Sequence, residues 1–328
     1  MYGLMVSGSY PCIRSGKLTA AMREHHIYHG CIALKRPPQL TEAYVHLDIN
    51  AFQSMPEMAA RIAEHPADFI HVHNEPNWPV LAAKDGARGR PVIYDVHDVT
   101  AAREGEPEDA WEKAAYEAAD AFVFVTREQH EYATEAGLDT SGRPVVYIPN
   151  YAHAGHFISD TPFHHLGGVV YAGGAHTRSG GKFWRDMSPI ADALDGDFYV
   201  YSAAGKPVDY GIQCPPERHY RKLIYRLAQH DWGFVGTPLE HPGYLHAIPN
   251  KAFDCFSAGI PVIAMNVPLL KPILDRGLGI YCDSYSDVRE AAQTLPGPYK
   301  EAVMQYRAEY TMQAVTRELV SLYEELAC

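Results

Sequence analysis

The chain has 328 residues, of which 47% are hydrophobic and 21% charged, so it is globular and long enough for two domains. Its formal net charge of -12 disfavours broad, non-specific binding to nucleic acid. The six cysteines are scattered without a CxxC pair, which favours a reducing compartment over a disulfide framework or a zinc site.

The first half of the chain alternates short apolar strands with amphipathic helices. The predicted strands are residues 3–7, 69–73, 92–96, 121–125 and 145–148. The predicted helices are residues 54–65, 107–119 and 127–136. This alternation favours a parallel sheet with helices on both faces. A polar loop at 151–166 predicts a domain boundary.

The second half repeats the pattern. Its predicted strands are residues 168–172, 197–201, 232–236, 260–264 and 279–282, and its predicted helices are residues 183–194, 216–229, 250–258 and 287–294. A long helical tail is expected over 298–326. The sequence therefore predicts an α/β protein with two Rossmann-like domains, 1–158 and 159–328. Ligands of such sheets bind beyond the carboxyl ends of the strands.

The most informative segment is IPNKAFDCFSAGIPVIAM, residues 248–265. Asn250 is expected to cap the start of a helix, and Gly259 is expected to end it in the left-handed conformation. Lys251 and Asp254 fall in the first turns. A helix N-terminus attracts phosphate, and a carboxylate one turn later can accept hydrogen bonds from sugar hydroxyls. The segment therefore indicates a nucleotide or nucleotide-sugar site.

Several segments resemble the nucleotide-sugar glycosyltransferases of the GT-B fold, close to the retaining family 4 type. PNKAFDCFSAGIPVIA (249–264) is similar to the donor-site helix, and GGVVYAGGAHTRSGGK (167–182) to the strand and loop that open the C-terminal domain. PVIYDVHDV (91–99) resembles a strand ending in the active-site histidine. ADAFVFVTREQHEY (119–132) and VVYIPN (145–150) resemble the strands before the interdomain linker.

The resemblance implies roles for particular side chains. His97 would orient the donor sugar, while Arg178 and Lys182 would stabilise the diphosphate leaving group. Asp254 would accept hydrogen bonds from the ribose, and Lys251 would add a phosphate contact. Each residue also has an interpretation without a function. His97 would be an ordinary loop histidine, and Arg178 and Lys182 would be solvated cations of the loop. Lys251 would be a surface cation, and Asp254 would complement the helix dipole.

Other parts of the donor site depart from the family pattern, which places two Glu eight positions apart. The second Glu position holds Asp254 and the first holds His246, with Glu240 further upstream. Asn250 opens the donor helix. Gly16, which closes the loop after the first strand, and Gly174, in the glycine-rich loop, are expected to let the backbone approach the donor.

Residues of the segment HNEPNWP follow another strand of the N-terminal domain. Glu75, Asn77 and Trp78 could line an acceptor pocket, with the indole stacking on a sugar ring. An ordinary loop with a core tryptophan is the competing interpretation. The tail from about residue 305 to 328 resembles the family helix that crosses back to the first domain.

The resemblance implies transfer of a sugar from a UDP- or GDP-linked donor, with retention and without a metal or other cofactor. The donor would bind mainly to the C-terminal domain. The acceptor would be a glycan, a lipid-linked acceptor or a small molecule; the charge balance disfavours a nucleic acid acceptor without excluding it. A sugar-nucleotide epimerase or hydrolase is one alternative, and a non-catalytic sugar-nucleotide-binding protein is another. The expected location is cytoplasmic, or peripheral at a membrane surface through the basic segment 217–226.

Overall fold

The computed structural model of the chain describes residues 1–9, 12–34, 40–49, 54–74, 76–100, 102, 110–159, 164–178, 183–202, 207–217 and 219–327. They form two compact units. Unit 1 comprises Met1–His153 and Met312–Cys328, and unit 2 comprises Ala154–Thr311. The division lies near the predicted boundary after residue 158. The C-terminal segment that belongs to unit 1 begins at Met312.

Unit 1 is built on a seven-stranded parallel sheet. In chain order the strands are β1 (Tyr2–Ser7), β2 (Tyr28–Ala33), β3 (His46–Ile49), β4 (Phe69–His73), β5 (Val92–Val96), β6 (Ala121–Phe124) and β7 (Val145–Tyr147). Their order in the sheet is β3-β2-β1-β4-β5-β6-β7. The helices are α1 (Ile13–Met22), α2 (Met55–Glu64), α3 (Pro79–Gly86), α4 (Ala110–Ala118), α5 (Arg127–Glu135) and the C-terminal α13 (Met312–Ala327).

Unit 2 is built on a six-stranded parallel sheet of order β10-β9-β8-β11-β12-β13. The strands are β8 (Val169–Gly173), β9 (Phe198–Ser202), β10 (Ile212–Gln213), β11 (Trp232–Gly236), β12 (Val262–Met265) and β13 (Gly279–Cys282). The helices are α6 (Ser188–Ala193), α7 (Tyr220–Leu227), α8 (Pro242–Leu245), α9 (Asn250–Ser257), α10 (Lys271–Ile273), α11 (Tyr285–Gln293) and α12 (Gly297–Tyr306). Two all-parallel sheets with interleaved helices confirm the predicted α/β architecture.

Both faces of the unit 1 sheet are covered by apolar clusters. One contains Leu4, Val72 and Tyr94 with residues of α2, α3 and α4. The other contains Met5 and Phe69 with residues of α1 and α13. A sheet buried on both faces gives continuous apolar strands, which explains why β4, β5 and β6 stand out in the sequence.

The structure corrects several predicted elements. The strands β2 and β3 and the helices α1 and α3 were not predicted. The helix expected over 183–194 is a 3-10 turn (Phe183–Arg185) followed by the short α6, whose first turn holds a proline. The single helical tail is two helices, α12 and α13, separated by the turn Arg307–Glu309.

The ring of His29 is buried on β2 and packs edge-on against Phe69 and Tyr323. Neither ring nitrogen has a hydrogen-bond partner among the described residues. Burial lowers the pKa of His29 from 6.5 to about 3, because a charged ring there would lose its hydration. The folded protein therefore holds this ring neutral at neutral pH.

Replacing His29 by leucine is expected to flatten the pH dependence of stability on the acid side. Between about pH 6 and pH 4, only the unfolded chain protonates His29, which lowers wild-type stability by up to about 1.4 kcal/mol per pH unit as the pH falls. Urea denaturation across this window measures the slope. Val45→Ala, at an exposed position just before β3, removes no titratable group; it serves as the control and should keep the wild-type slope. An unchanged slope in His29→Leu would contradict the prediction.

Candidate functional site

The informative segment forms α9 and β12, with one correction at the start of the helix. Pro249, in an extended conformation, is the N-cap residue and makes no side-chain cap. Asn250 is thus the first helical residue and not the N-cap. The end of the helix is as predicted: Gly259 has φ +76°, and its amide and that of Ile260 donate to carbonyls of the last turn.

Lys251 reaches from the first turn of α9 over the carboxyl end of β8. Its Nζ donates to the Tyr244 hydroxyl at 3.3 Å and lies 5.5 Å from the centre of the Tyr171 ring. A Cβ atom on Gly173 would lie 2.3 Å from its Cε, so the glycine makes room for this side chain. Burial disfavours the charge, but the oxygens of Tyr171 and Tyr244 outweigh that effect and raise the pKa of Lys251.

A second cation, Arg185, lies beside the next glycine. A Cβ atom on Gly174 would lie 2.9 Å from a terminal nitrogen of its guanidinium. The guanidinium carbon stacks 4.4 Å from the centre of the Trp184 ring. Among the described residues, neither Arg185 nor Lys251 forms an ion pair with a carboxylate. The end of β8 therefore carries two half-buried positive charges that lack a counter-charge in the described chain.

Of the two cations predicted to hold the leaving group, Lys182 lies outside the described residues. Arg178 is exposed and makes a two-pronged ion pair with Asp192 at 2.9 and 2.7 Å. Its backbone amide also donates to Asp209. The structure thus places Arg178 in a surface ion pair, and it brings a different cation, Arg185, to the end of β8.

Asp254 lies on the buried side of α9 and is 8% exposed. The hydroxyl of Tyr220, from α7, donates to its Oδ1 in a short hydrogen bond. One carboxylate oxygen is thus engaged within unit 2. His246 ends the short α8 and is half-buried.

The predicted roles of the two glycines come out differently. Gly174 lies directly after β8, beside Arg185, and its role in donor binding stays a prediction. Gly16 lies inside α1, and its amide donates to the Cys12 carbonyl as part of the helix. A Cβ atom at Gly16 would meet Leu40 at 2.7 Å, so this glycine serves close packing. The expectation that it closes a donor-binding loop is corrected.

His97 directly follows β5, as predicted. Its backbone amide donates to Asn74 Oδ1 at 3.3 Å, and its carbonyl accepts from Gln129 Nε2 at 3.0 Å. These bonds fix the backbone of the loop. Its Nδ1 is buried without a hydrogen-bond partner among the described residues, and burial lowers the pKa of the ring. The ring is therefore neutral at neutral pH.

A buried charge network lies beneath His97 on the face of the sheet covered by α1 and α13. Arg14 Nε donates to both oxygens of Asp95 at 3.0 and 3.1 Å, and its Nη1 donates to Asn150 at 3.2 Å. Burial alone would raise the pKa of Asp95, but the Arg14 guanidinium and the neighbouring histidines hold it well below its ordinary value. Asp95 is thus a permanent anion in the core.

The same carboxylate orders a histidine and the last helix. His71 Nε2 lies 3.2 Å from Asp95 Oδ2, and His71 Nδ1 lies 2.7 Å from the Tyr323 hydroxyl. Because an ionised carboxylate only accepts, Nε2–H donates to Asp95, and in the neutral ring Nδ1 accepts from Tyr323. His73 Nδ1 lies 3.6 Å from the same oxygen. α13 is therefore tied to the centre of the sheet by a polar contact.

The three residues predicted to line an acceptor pocket lie in different surroundings. Glu75 lies outside the described residues. Asn77 is 2% exposed; it accepts from the Tyr94 hydroxyl at 2.7 Å and donates to Thr100 at 2.9 Å. It therefore serves the packing of the loop. Trp78 is half-buried and packs against the apolar cluster beneath α2 and α3.

Sequence reasoning missed Arg14, Arg185 and His73. One signal was available: FIHVH places two histidines at alternate positions of an apolar strand, which puts both on one buried face. Buried polar side chains require partners, so this pattern points to a polar cluster in the core.

Residues 29–151 match the family model of the glycosyl transferase 4-like domain. An α-glucosyltransferase in complex with UDP and a 13-mer DNA containing an HMU base superposes with a TM-score of 0.66 at 9% identity, covering 99% of each chain. The chain has the GT-B fold of glycosyltransferases.

Other GT-B structures have similar scores. AviGT4, a glycosyltransferase involved in avilamycin A biosynthesis, has a TM-score of 0.62 at 12% identity, covering 99% of this chain and 98% of that one. The UDP-GlcNAc 2-epimerase from Neisseria meningitidis bound to UDP-GlcNAc has a TM-score of 0.59 at 12% identity, covering 99% and 100%. No curated protein matches the sequence significantly. Among the described residues, none of the helices has the length and hydropathy to cross a bilayer.

In this GT-B protein, Tyr323→Phe is expected to lower the free energy of unfolding of unit 1 by about 1–3 kcal/mol, because a buried acceptor on His71 loses its donor. Urea denaturation followed by fluorescence measures it. Tyr116→Phe is the matched control: that tyrosine is equally buried in unit 1, and its hydroxyl has no partner among the described residues. Equal losses in both variants would contradict a specific role for the Tyr323 hydroxyl.

Proposed function

We propose that the protein transfers a sugar from a nucleotide-diphosphate sugar to an acceptor hydroxyl, with retention of anomeric configuration. The observation that carries the proposal is the pair of half-buried cations, Lys251 and Arg185, at the carboxyl end of β8. Ligands of open α/β sheets bind at this edge. Two positive charges without a carboxylate partner in the described chain favour a doubly charged anion such as a diphosphate.

The remaining donor contacts follow from α9. Its N-terminus, opened by Pro249 and Asn250, adds the positive end of the helix dipole to the charge of Lys251. Asp254, on the buried side of α9, would accept hydrogen bonds from the ribose hydroxyls. Lys182 and His246 remain proposed donor contacts, and Arg178 is replaced in this role by Arg185.

The chemistry proposed for this arrangement is electrostatic. As the glycosidic bond breaks, negative charge grows on the diphosphate, and the fixed cations at β8 stabilise it. The departing diphosphate can accept the proton of the acceptor hydroxyl, so no protein nucleophile is required. His97, held neutral by burial, would donate or accept a hydrogen bond and thereby orient the transferred sugar. The donor carries a UDP or GDP group in this proposal.

Lys251→Ala is expected to weaken binding of UDP or GDP about 10- to 100-fold, the equivalent of one charge-assisted hydrogen bond to phosphate. Isothermal titration calorimetry with both nucleotides measures it. Arg178→Ala is the matched control, since its guanidinium is paired with Asp192; it should bind within about 3-fold of the wild type. Absence of binding by the folded wild type, or equal losses in both variants, would overturn the donor site.

His97→Ala is expected to lower the turnover of a nucleotide-sugar donor about 100-fold while leaving nucleotide affinity unchanged, because the side chain acts on the sugar and not on the phosphates. Mass spectrometry of reactions offered a panel of donors and acceptors measures turnover and product. Consumption of donor without a glycosylated product would identify an epimerase or hydrolase instead. Turnover that persists in both His97→Ala and Lys251→Ala would place the site elsewhere.

A further inference from the structure

Three side chains with metal-binding chemistry converge at the carboxyl edge of the unit 1 sheet. Cys12 precedes α1, His73 ends β4, and His97 follows β5. The Cys12 sulfur and one ring nitrogen from each histidine all lie within 4.8 Å of one another. They come from three separate segments, so no spacing motif in the sequence predicts that they lie together.

Both histidines have buried ring nitrogens that form no hydrogen bond with the described residues. His73 is 1% exposed, and neither of its ring nitrogens has a hydrogen-bond partner among the described residues. The same holds for Nδ1 of His97. Buried polar atoms are normally satisfied, so each of these calls for a partner. A metal ion shared by the two rings would provide it.

A second possible triad, His71, His73 and Asp95, is already occupied by protein contacts. His71 is bonded to Asp95 and Tyr323, and Asp95 is paired with Arg14. A cation bound there would have to displace these hydrogen bonds. This leaves the Cys12 cluster as the favourable one.

We propose that Cys12, His73 and His97 bind a zinc ion, with a fourth coordination position left open. A thiolate and two imidazoles are ligands that Zn²⁺ prefers, and three protein ligands with one open position is a common zinc arrangement. Around one zinc, ligand atoms lie roughly 3.3–3.8 Å apart, a spacing compatible with three atoms that all lie within 4.8 Å of one another.

The surroundings of His73 fit this role. Its Nδ1 lies 3.6 Å from Asp95 Oδ2, which leaves Nε2 for the metal. Metal-bound histidines commonly direct their other ring nitrogen towards a carboxylate, which fixes the ring and raises its basicity. Arg14 and Asp95 neutralise each other, so the Cys12 thiolate would supply the negative charge that the ion requires. The site does not depend on the proposed transferase activity.

Metal analysis of the untagged full chain, dialysed against chelator and then reloaded with Zn²⁺, tests the proposal. The wild type should retain about one zinc per chain after gel filtration. Cys12→Ser and His73→Gln should each retain less than about a tenth of that, whereas Cys214→Ser, a half-buried cysteine of unit 2, should match the wild type. Zinc retained in full by Cys12→Ser and His73→Gln would overturn the site, as would a wild type that retains none.

Cobalt replacement gives a readout that needs no variant. Co²⁺ added to the metal-free wild type should produce the charge-transfer absorption of a thiolate–cobalt bond and the intense visible bands of four-coordinate cobalt. A spectrum with only the weak bands of six-coordinate cobalt would overturn the proposal. Circular dichroism of each variant confirms that a lost signal reflects the site and not unfolding.

Discussion

The buried ion pair between Arg14 and Asp95 organises unit 1. Both side chains are almost wholly removed from solvent, and removing one partner of such a pair typically costs about 3–5 kcal/mol because the other charge is left buried alone. Around it converge α1, which carries Arg14, the end of β5, and Asn150 after β7. Through His71 the same carboxylate also holds Tyr323 of α13. A segment more than two hundred residues away in sequence is thereby fixed to the centre of the sheet.

In unit 2, by contrast, two cations lie near the carboxyl edge of the sheet without an ion-pair partner among the described residues. Its sheet edge holds Lys251 and Arg185 over Gly173 and Gly174, and no described carboxylate neutralises them. Aromatic faces and a phenol oxygen support these cations but bring no full negative charge. Leaving charges uncompensated costs stability, and such an arrangement persists where a ligand restores the balance. The contrast between a self-neutralised network in unit 1 and an uncompensated pair in unit 2 is the physical basis for the proposal that unit 2 binds an anionic donor.

The sequence predicted well what local signals determine. The end of α9 at Gly259, and the strands β4, β5, β11 and β13, follow from helix-stop residues and from the apolar runs of buried parallel strands. It failed at β2, whose run YHGCIA carries a histidine and a glycine and looks irregular. It also failed at contacts that join distant segments. Arg14 and Asp95 are 81 positions apart, and no pattern within either segment announces their pairing.

The same limit applies to the choice among the cations near β8. Arg178 and Arg185 both follow the glycine-rich strand end, and the sequence offers no reason to prefer one. The decision depends on Asp192, which lies within reach of Arg178, and on Trp184, whose ring supports Arg185. Similarly, Asn77 looks like a polar loop residue, yet Tyr94 and Thr100 occupy both ends of its amide. Partners supplied by the tertiary structure decide which polar side chains remain available for a ligand.

His97 links the proposed zinc ion to the proposed transferase chemistry without conflict between them. An imidazole has two nitrogens, and a ring that binds metal through the buried Nδ1 keeps Nε2 for a second contact. Metal ligation would fix the ring plane, whereas the hydrogen bonds of the described residues Asn74 and Gln129 fix the backbone of this loop. Zinc would therefore act by orienting His97. In the metal-free protein the ring still belongs to the proposed site, but no hydrogen bond from a described residue to its Nδ1 restrains the rotation of the ring.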